Sequence, residues 1–268
     1  MDRMKGRVLI IAGSDCSGGA GIQADIKSVT ALGGYAATAI TALTVQNTTG
    51  VFDVLGIAPD MIVHQATVTI DDIGADALKT GMLHSVPVIT AVAEFIKSKA
   101  NGIPVVVDPV MISQSGSRLL QEDAVDALIA NMVPLATVLT PNIPEAEVLS
   151  GMKITSEGDM IAAAHKIGDL GAEAVLIKGG HADGDKIVDI LWRRDGDVEG
   201  FEGTRIPSEN NHGTGCSLAS AIATGLAQGM ALSDAVARAR AYVREAIRTA
   251  PGYGKGNGPL NHAHPVTG

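Results

Sequence analysis

A glycine-rich turn with a thiol beside it carries the most chemical information in this sequence. Gly213 and Gly215 flank Thr214, and Cys216 follows at the predicted start of a helix of small residues. Glycine permits positive φ angles, so several backbone N–H groups can converge on one anion at the positive end of the helix dipole. The same groups lower the pKa of a thiol, which predicts a reactive Cys216. The alternative is a turn that only allows close packing, with Cys216 as a buried apolar filler.

Four polar residues follow apolar runs that predict buried strands. Asp108 ends one run, Asn142 and Glu145 come just after the next, and Lys178 closes a later one. Ligands of open α/β sheets bind beyond the carboxyl ends of the strands, so we expect these side chains at one site. Carboxylate and amide oxygens suit Mg²⁺ that carries nucleotide phosphates. Each position also has a structural alternative, because aspartate before proline opens turns, glutamate favours a helix N-terminus, and strand-end lysines are often only solvated.

A second glycine-rich segment, residues 13–21, follows the first predicted strand, and Asp25 lies one turn into the next helix. The segment lacks a clean G-x-G-x-x-G pattern at the strand–helix junction, and no acidic residue closes a second strand about twenty residues later. These two features argue against a nicotinamide site. The sequence also has no G-x-x-x-x-G-K-[ST] pattern, which argues against a P-loop nucleotide site.

One side chain is suited to reading a heteroaromatic ring. Gln46 offers a hydrogen-bond donor and an acceptor, the pair that a ring with an amino group and a ring nitrogen requires, although most exposed glutamines recognise nothing. His262 and His264 have the spacing of metal ligands, but the tail around them holds no supporting carboxylate or cysteine. We therefore interpret both histidines as structural and predict no zinc site.

Charge and cysteine content limit the partners and the compartment. The chain has 20 Lys and Arg against 29 Asp and Glu, a net charge of −9, with no basic run. This balance argues against nucleic acid and anionic membranes and predicts small-molecule partners. Cys16 and Cys216 form neither a disulfide framework nor a zinc set, which fits a reducing compartment. No apolar stretch is long enough for a signal segment or a membrane span, so we expect a cytoplasmic protein.

Short apolar runs alternate with amphipathic stretches, the βαβ rhythm of a parallel sheet. The sequence predicts strands at residues 7–12, 36–44, 77–79, 105–108, 137–140 and 174–178. It predicts helices at residues 20–32, 59–70, 86–99, 121–131, 157–170, 217–229 and 233–248. An antiparallel hairpin is expected at residues 187–193 and 198–206, and an irregular tail from residue 251. We predict a single domain over residues 1–268, with helices on both faces of the sheet.

The motifs, taken together and in order, closely resemble those of the hydroxymethylpyrimidine/phosphomethylpyrimidine kinases, which belong to the ribokinase-like superfamily. The segments that carry the resemblance are 12–25, 41–48, 79–83, 108–111, 140–146, 178–181 and 212–216. The resemblance implies an α/β fold, a ribokinase-like three-layer sandwich with a mostly parallel central sheet, helices on both faces and a late antiparallel edge hairpin. It also implies a homodimer.

The resemblance implies an activity in thiamine biosynthesis as well. Such a kinase uses ATP, with Mg²⁺, to phosphorylate the hydroxymethyl group of 4-amino-5-hydroxymethyl-2-methylpyrimidine, and then converts the monophosphate to the diphosphate. The residues that match the family's pyrimidine-binding positions are Gly13, Asp25, Val45, Gln46 and Met82. Those that match its phosphate-transfer positions are Lys178, Gly213, Thr214, Gly215 and Cys216, and those that match its Mg-ATP positions are Asp108, Asn142 and Glu145. Cys216 takes the position of the catalytic base, where sugar kinases of the superfamily usually carry aspartate.

Two alternatives stay open from the sequence. Pyridoxal kinases share the Gly-Thr-Gly-Cys turn, although Gln46 favours an aminopyrimidine over pyridoxal. A nucleotide-binding paralogue without activity would be expected to lose the carboxylates or the thiol, and Asp108, Glu145 and Cys216 are all present. The chain departs from the family at Cys16, where proline is usual, which predicts a looser loop. A base at Cys216 should matter more for an alcohol than for a phosphate monoester, which is already ionised at neutral pH.

Overall fold

One mixed sheet spans the part of the chain that the structure, a computed structural model, describes: residues 5–111, 119–121, 123–181 and 185–267. Its strands are β1 (Arg7–Asp15), β2 (Tyr35–Asn47), β3 (Gly50–Gly56), β4 (Ala77–Thr80), β5 (Val105–Val107), β6 (Val138–Leu139), β7 (Ala174–Ile177), β8 (Lys186–Arg193) and β9 (Val198–Thr204). Their order across the sheet is β3-β2-β1-β4-β5-β6-β7-β8-β9. The six strands from β2 to β7 in this order run parallel, whereas β3, β8 and β9 are antiparallel to their neighbours.

Helices cover both faces of the sheet. They are α1 (Gly21–Ala31), α2 (Pro59–Asp72), α3 (Val86–Lys99), α4 (Ala124–Asn131), α5 (Ile143–Ser150), α6 (Glu157–Gly168), α7 (Thr214–Ala227), α8 (Leu232–Arg248) and the short α9 (His264–Thr267). Val8 and Ile10 of β1 pack in a buried cluster with α1, α7 and α8, while Leu9 and Ile11 pack in another with α2 to α6. Because successive strand residues point to opposite faces, β1 supplies both layers of the core.

The central strands are buried along their whole length. Every residue of β4, β5 and β7 is buried, since helices exclude water from both faces of the sheet. Where such a strand ends, the chain leaves the core, and a polar side chain there no longer has to be buried without water. Asp108 directly follows β5, and Lys178 directly follows β7. The carboxyl ends of the parallel strands therefore carry polar groups at one edge of the sheet.

The predicted fold class is confirmed. Each predicted strand and helix has a counterpart, and the late hairpin is formed by β8 and β9. The helix predicted at 121–131 begins at Ala124, and residue 122 lies outside the described residues. Among the described residues, no helix is both long and apolar enough to cross a bilayer. The single domain over residues 1–268 stays a prediction.

Three of these elements were not predicted, and one of them, the short α9, lies in the tail that was predicted to be irregular. β3 is an edge strand, exposed or half-buried throughout, so its sequence lacks the apolar run that marked the central strands. α5 is short. Its start depends on a capping box between Asn142 and Glu145, which the search for apolar periodicity did not consider. The helix predicted to start at residue 217 starts at Thr214 instead, which places Cys216 inside its first turn.

Candidate active site

A cavity of about 890 Å³ opens at the carboxyl ends of the parallel strands. It is lined by most of the residues that the sequence predicted for the site: Gly13, Gln46, Met82, Asp108, Asn142, Glu145, Lys178, Gly213, Thr214, Gly215 and Cys216. The late hairpin and α8 complete its wall, where Arg240 Nε donates to Asp189 Oδ2 at 2.7 Å. The first turn of α7, the strand-end carboxylates and Gln46 thus line the same cavity.

Asp25 and Val45 are not among the described residues that line this cavity. Asp25 is fully buried on α1, where both of its oxygens accept from Lys79 Nζ at 3.0 Å and one accepts from Ser220 Oγ at 2.7 Å. Lys79, the third of the four residues of β4, lines the cavity instead. The side chain of Val45 is exposed on β2. Asp25 could therefore influence a ligand in this cavity only indirectly, through its ion pair with Lys79.

The turn before α7 requires a glycine at position 213. Gly213 has φ +85°, and a Cβ there would come within 1.9 Å of the Gly19 carbonyl oxygen. Gly215 lies inside the first turn of α7, and a Cβ there would lie 3.2 Å from Lys178 Nζ, the flexible end of a side chain. No described side chain caps α7, and although the Thr214 N–H donates to a backbone carbonyl, the N–H groups of the next two residues keep their capacity to bind an anion. Anion binding at this turn, beside Lys178, stays a prediction.

The predicted low pKa of Cys216 is wrong. Burial raises the pKa of the Cys216 thiol to about 11, and the charge of Lys79 only partly opposes this effect. The negative charges of Asp25 and Asp108 raise the pKa further. Sequence reasoning counted the helix dipole but could not count the desolvation of the thiol. Cys216 therefore rests as a neutral thiol at neutral pH, so a role as base requires proton transfer during the reaction rather than a preformed thiolate.

Asp108 and Lys178 form an ion pair at the edge of the cavity. Lys178 Nζ donates to Asp108 Oδ1 at 3.1 Å, and Thr140 Oγ1 donates to the same oxygen at 3.1 Å. The side chain of Lys178 is 15% exposed, so it reaches the cavity. Although burial opposes it, the negative charges of Asp108 and Glu145 raise the pKa of Lys178, which stays protonated. The pair therefore offers a protonated lysine beside the turn that precedes α7.

Asn142 and Glu145 have a structural task as well as a place in the cavity. Asn142 Oδ1 accepts from the Glu145 backbone N–H at 2.9 Å, and Glu145 Oε2 accepts from the Asn142 N–H at 2.8 Å. Burial raises the pKa of Glu145 to about 7, and Asp108 adds to this effect while Lys178 opposes it. The sequence-based alternative of a helix N-terminus is thus correct for Glu145, and it does not remove the carboxylate from the cavity.

The described residues contain no group of three His, Cys, Asp or Glu side chains placed to hold a metal ion by themselves. Asp108, Asn142 and Glu145 instead supply two carboxylates and an amide oxygen at the cavity edge. Mg²⁺ in nucleotide enzymes is typically held by one or two carboxylates together with substrate phosphates and water. The donor set therefore fits a Mg²⁺ that arrives with a nucleotide.

Three residues of the site carried no predicted role. Asp15 ends β1 and accepts a hydrogen bond from His212 Nε2 at 2.8 Å, which joins the first glycine-rich loop to the turn before α7. Lys79 pairs with Asp25 across the core. The rule that singled out Lys178, a polar residue at the end of a buried strand, applies equally to Lys79 and to Asp15. His212 gave no such signal, because its partner lies 197 residues away.

Comparisons with known proteins agree with this geometry. A family model described as phosphomethylpyrimidine kinase matches residues 15–261. The chain is 49% identical over 259 residues to the thiamine biosynthesis bifunctional protein ThiED of Geobacter sulfurreducens, a match that covers 96% of this chain and about half, 52%, of that protein. It is 44% identical over 216 residues to the hydroxymethylpyrimidine/phosphomethylpyrimidine kinase of Rhizobium meliloti, with 80% of each chain covered.

Solved structures show the same fold. The phosphomethylpyrimidine kinase of Clostridium difficile superposes with a TM-score of 0.81 at 43% identity, covering 91% of this chain and 100% of the other. The pyridoxal kinase of Bacillus subtilis, in complex with ADP, superposes with a TM-score of 0.88 at 38% identity, covering 97% and 98%. The predicted ribokinase-like architecture is thus shared with kinases of two kinds of substrate.

Proposed function

The chain belongs to the phosphomethylpyrimidine kinase family and is an ATP-dependent kinase, and on that premise we propose that it phosphorylates 4-amino-5-hydroxymethyl-2-methylpyrimidine and then its monophosphate. The observation that carries the proposal is the convergence of three features on one cavity. These are the anion-binding turn at Gly213, the cation of Lys178, and the ring-reading amide of Gln46. A phosphoryl acceptor with a heteroaromatic ring uses all three.

Phosphoryl transfer is catalysed mainly by positioning and by stabilising charge. Gly215 and Cys216 line the cavity in the first turn of α7, and their N–H groups would hold the transferred phosphoryl group. Lys178 would bind phosphate oxygens, with its orientation kept by Asp108. Because Cys216 rests as a thiol, it would take the proton of the alcohol only as the oxygen attacks. A phosphate monoester needs no such step, since it is already ionised.

We assign the Mg²⁺ of the nucleotide to Asp108, Asn142 and Glu145. When bound, Mg²⁺ neutralises charge on the nucleotide phosphates during transfer. Asp108 and Glu145 are both buried, and the pKa of Glu145, about 7, means that this carboxyl is only partly ionised at neutral pH and that an approaching cation would favour its ionised form. Asn142 keeps Glu145 in place through the capping box. Asn142 and Glu145 therefore start a helix and, together with Asp108, would face the nucleotide.

Pyridoxal phosphorylation is a second candidate, because several structural neighbours are pyridoxal kinases, including one from Staphylococcus aureus in complex with pyridoxal. Both candidates are alcohols on a heteroaromatic ring, so the phosphate end of the cavity does not separate them. The ring-binding residues do, and Gln46 is suited to a ring nitrogen beside an amino group.

A coupled ATPase assay with Mg²⁺ tests the proposal. It offers hydroxymethylpyrimidine, its monophosphate and pyridoxal in separate reactions, with the phosphorylated products confirmed by mass. Turnover of both pyrimidines is the expected result. Turnover of pyridoxal alone would reassign the protein to vitamin B6 salvage and contradict the role of Gln46. No turnover of any of the three would favour a nucleotide-binding protein without this activity.

We also propose a homodimer and a cytoplasmic location. The hairpin of β2 and β3 exposes Leu43, Val45, Phe52 and Leu55, an apolar surface at the edge of the sheet. Pairing of two copies through this hairpin would cover it. Light scattering is expected to give twice the mass of the chain, and Phe52→Glu is expected to halve that mass. Cys16 and Cys216 are both free thiols, which supports a reducing compartment.

A further inference from the structure

Asp15 organises the loop that frames one side of the cavity. Its Oδ1 accepts from the N–H and the hydroxyl of Ser17 at 2.8 and 2.7 Å, and its Oδ2 accepts from the N–H groups of Gly19 and Ala20 at 3.1 and 2.8 Å. His212 Nε2 lies 2.8 Å from the same Oδ2. Although burial opposes ionisation, the hydrogen bonds from His212 and Ser17 hold the pKa of Asp15 well below its usual range. Asp15 is therefore an ionised carboxylate that can only accept.

The charge state of Asp15 decides which proton His212 carries. A carboxylate has no proton to donate, so a hydrogen bond of 2.8 Å requires an N–H at His212 Nε2. The ring has little freedom to turn away, because a Cβ on Gly19 would lie 2.3 Å from its Cδ2, so ring and loop are in close contact. His212 Nε2 is thus a donor, in the neutral or the charged imidazole alike.

The donor at His212 in turn decides the orientation of Gln46. The amide nitrogen of Gln46 lies 3.4 Å from His212 Nε2. Two donors repel at that distance, whereas an amide oxygen would accept a share of the Nε2 proton. A half-turn of the amide exchanges its oxygen and its nitrogen at almost no steric cost, so the orientation with the oxygen toward the imidazole is the more stable one. The NH₂ group then faces the cavity that Gln46 lines.

We propose that His212, held by Asp15, is a positioning residue that fixes the Gln46 amide with its NH₂ group toward the ligand. Gln46 is then a donor only, and it selects rings that present an acceptor nitrogen rather than an amino group. This inference rests on the proposed function for the identity of the ring. It narrows that function, because the amino group of the pyrimidine must find its acceptor elsewhere in the cavity. That acceptor, rather than Gln46, would then separate the aminopyrimidine from pyridoxal, since both rings present an acceptor nitrogen.

The test uses two ligands and four proteins. The ligands are the aminopyrimidine alcohol and its analogue with hydrogen in place of the amino group, which keeps the ring nitrogen. The proteins are the wild type, Gln46→Ala, His212→Phe and the double variant. Gln46→Ala is expected to raise KM about tenfold for both ligands, the usual cost of one such hydrogen bond, with little change in kcat. In the His212→Phe background, the same substitution is expected to raise KM less than about threefold.

His165→Phe is the matched control, because it makes the same change on α6, where the ring packs against Trp192 away from the cavity. The tautomer is read directly from ¹⁵N-labelled wild type by long-range NMR correlation, and a proton on His212 Nε2 is expected. An unprotonated Nε2 would overturn the inference whatever the kinetics show. So would a Gln46→Ala penalty that disappears with the analogue, since the amide oxygen would then be reading the amino group. Absence of turnover in the wild type would contradict the proposed function instead, and the NMR result would still decide the orientation.

Discussion

Two lysines lie near the carboxyl ends of buried strands, and each forms an ion pair with an aspartate at about the same distance. Lys79 Nζ, near the end of β4, lies 3.0 Å from Asp25 Oδ2, and Lys178 Nζ, just after β7, lies 3.1 Å from Asp108 Oδ1. We call these the inner pair and the outer pair. Both side chains of the inner pair are 0% exposed, whereas the lysine of the outer pair is 15% exposed. The two pairs have the same chemistry and different access to solvent.

That difference separates a fixed charge from an exchangeable one. The inner pair is saturated, because Asp25 accepts from Lys79 and from Ser220, which lies one helical turn after Cys216 on α7. It therefore supplies a constant field beneath the thiol. Lys178 borders the cavity and the first turn of α7, so its ammonium group can turn from Asp108 toward a phosphate oxygen. The inner pair is expected to matter for folding and the outer pair for turnover.

The largest effect is expected from Lys79→Met. It leaves the Asp25 carboxylate buried without its cation, and breaking a buried pair costs about 3–5 kcal/mol. Urea unfolding at neutral pH is the measurement. The double variant Lys79→Met/Asp25→Leu removes both charges and is expected to recover most of that loss. A single variant as stable as the wild type would show that the inner pair is not needed to hold α1 against β4.

Lys178→Met tests the outer pair with the same substitution. The lysine is expected to stabilise the transferred phosphoryl group, so kcat/KM for ATP should fall about 10²–10³-fold, as when one stabilising contact to developing charge is removed. The free energy of unfolding should change far less than in Lys79→Met, because Asp108 keeps Thr140 as a donor and water reaches this edge of the cavity. Equal loss of stability in Lys178→Met and Lys79→Met would contradict the view that only the inner pair is needed for folding.

Cys216 is under the electrostatic influence of both pairs. Cys216→Ala tests whether its thiol acts as a base in the reaction. We expect the first phosphorylation to slow by about 10²-fold, the usual contribution of a general base, and the second by less than about tenfold. Single-turnover kinetics with the alcohol and the monophosphate give the two rates. Cys216→Ser is the control, since it keeps a small polar group in the first turn of α7. Equal losses in both steps would favour a purely geometric role in the anion-binding turn.

The sequence predicted the outer pair better than the inner one for a physical reason. Asp108 and Lys178 each follow an apolar run, so the convergence of strand ends places them together without knowledge of any contact. Lys79 obeys the same rule, but its partner Asp25 comes from a helix, and the match depends on how α1 packs against β4. A local pattern does not encode such packing, and the assignment of Asp25 to a ligand came from the family resemblance alone.

Properties that depend on burial were also beyond the sequence. The low pKa predicted for Cys216 followed from its position at a helix start, which was nearly correct, and failed because the thiol is desolvated. His212 was quoted within a motif but had no visible role, since its partners Asp15 and Gln46 belong to β1 and β2. Element types and strand-end residues were thus predictable, whereas pairings across elements and their electrostatics were not.

The smallest effect concerns Glu145, the carboxyl beside the outer pair. Its folded pKa is raised from 4.5 to about 7, mainly by burial. A raised folded pKa contributes stability that is present below the unfolded value and is lost as the pH rises through the folded value. Wild-type stability without Mg²⁺ is therefore expected to decline between about pH 4.5 and pH 7 on account of this group. Glu145→Gln removes that decline and keeps the capping box, because glutamine also accepts from the Asn142 N–H.

Urea unfolding from pH 4.5 to pH 8 in the absence of Mg²⁺ measures the effect. Relative to the wild type, Glu145→Gln is expected to gain on the order of 1–2 kcal/mol across this window and nothing further above pH 7. Glu147→Gln on the same helix is the matched control with the opposite sign, because hydrogen bonds from the Ile154 N–H and Lys153 lower the pKa of Glu147. Its stability relative to the wild type should fall as the pH rises to the usual glutamate value of 4.5 and then stay level, so for this variant the series extends below pH 4.5. A flat difference for Glu145→Gln would mean that Lys178 already stabilises the buried carboxylate, and the outer pair would then belong to a triad of two carboxylates and one lysine that keeps a net negative charge until a cation or nucleotide binds.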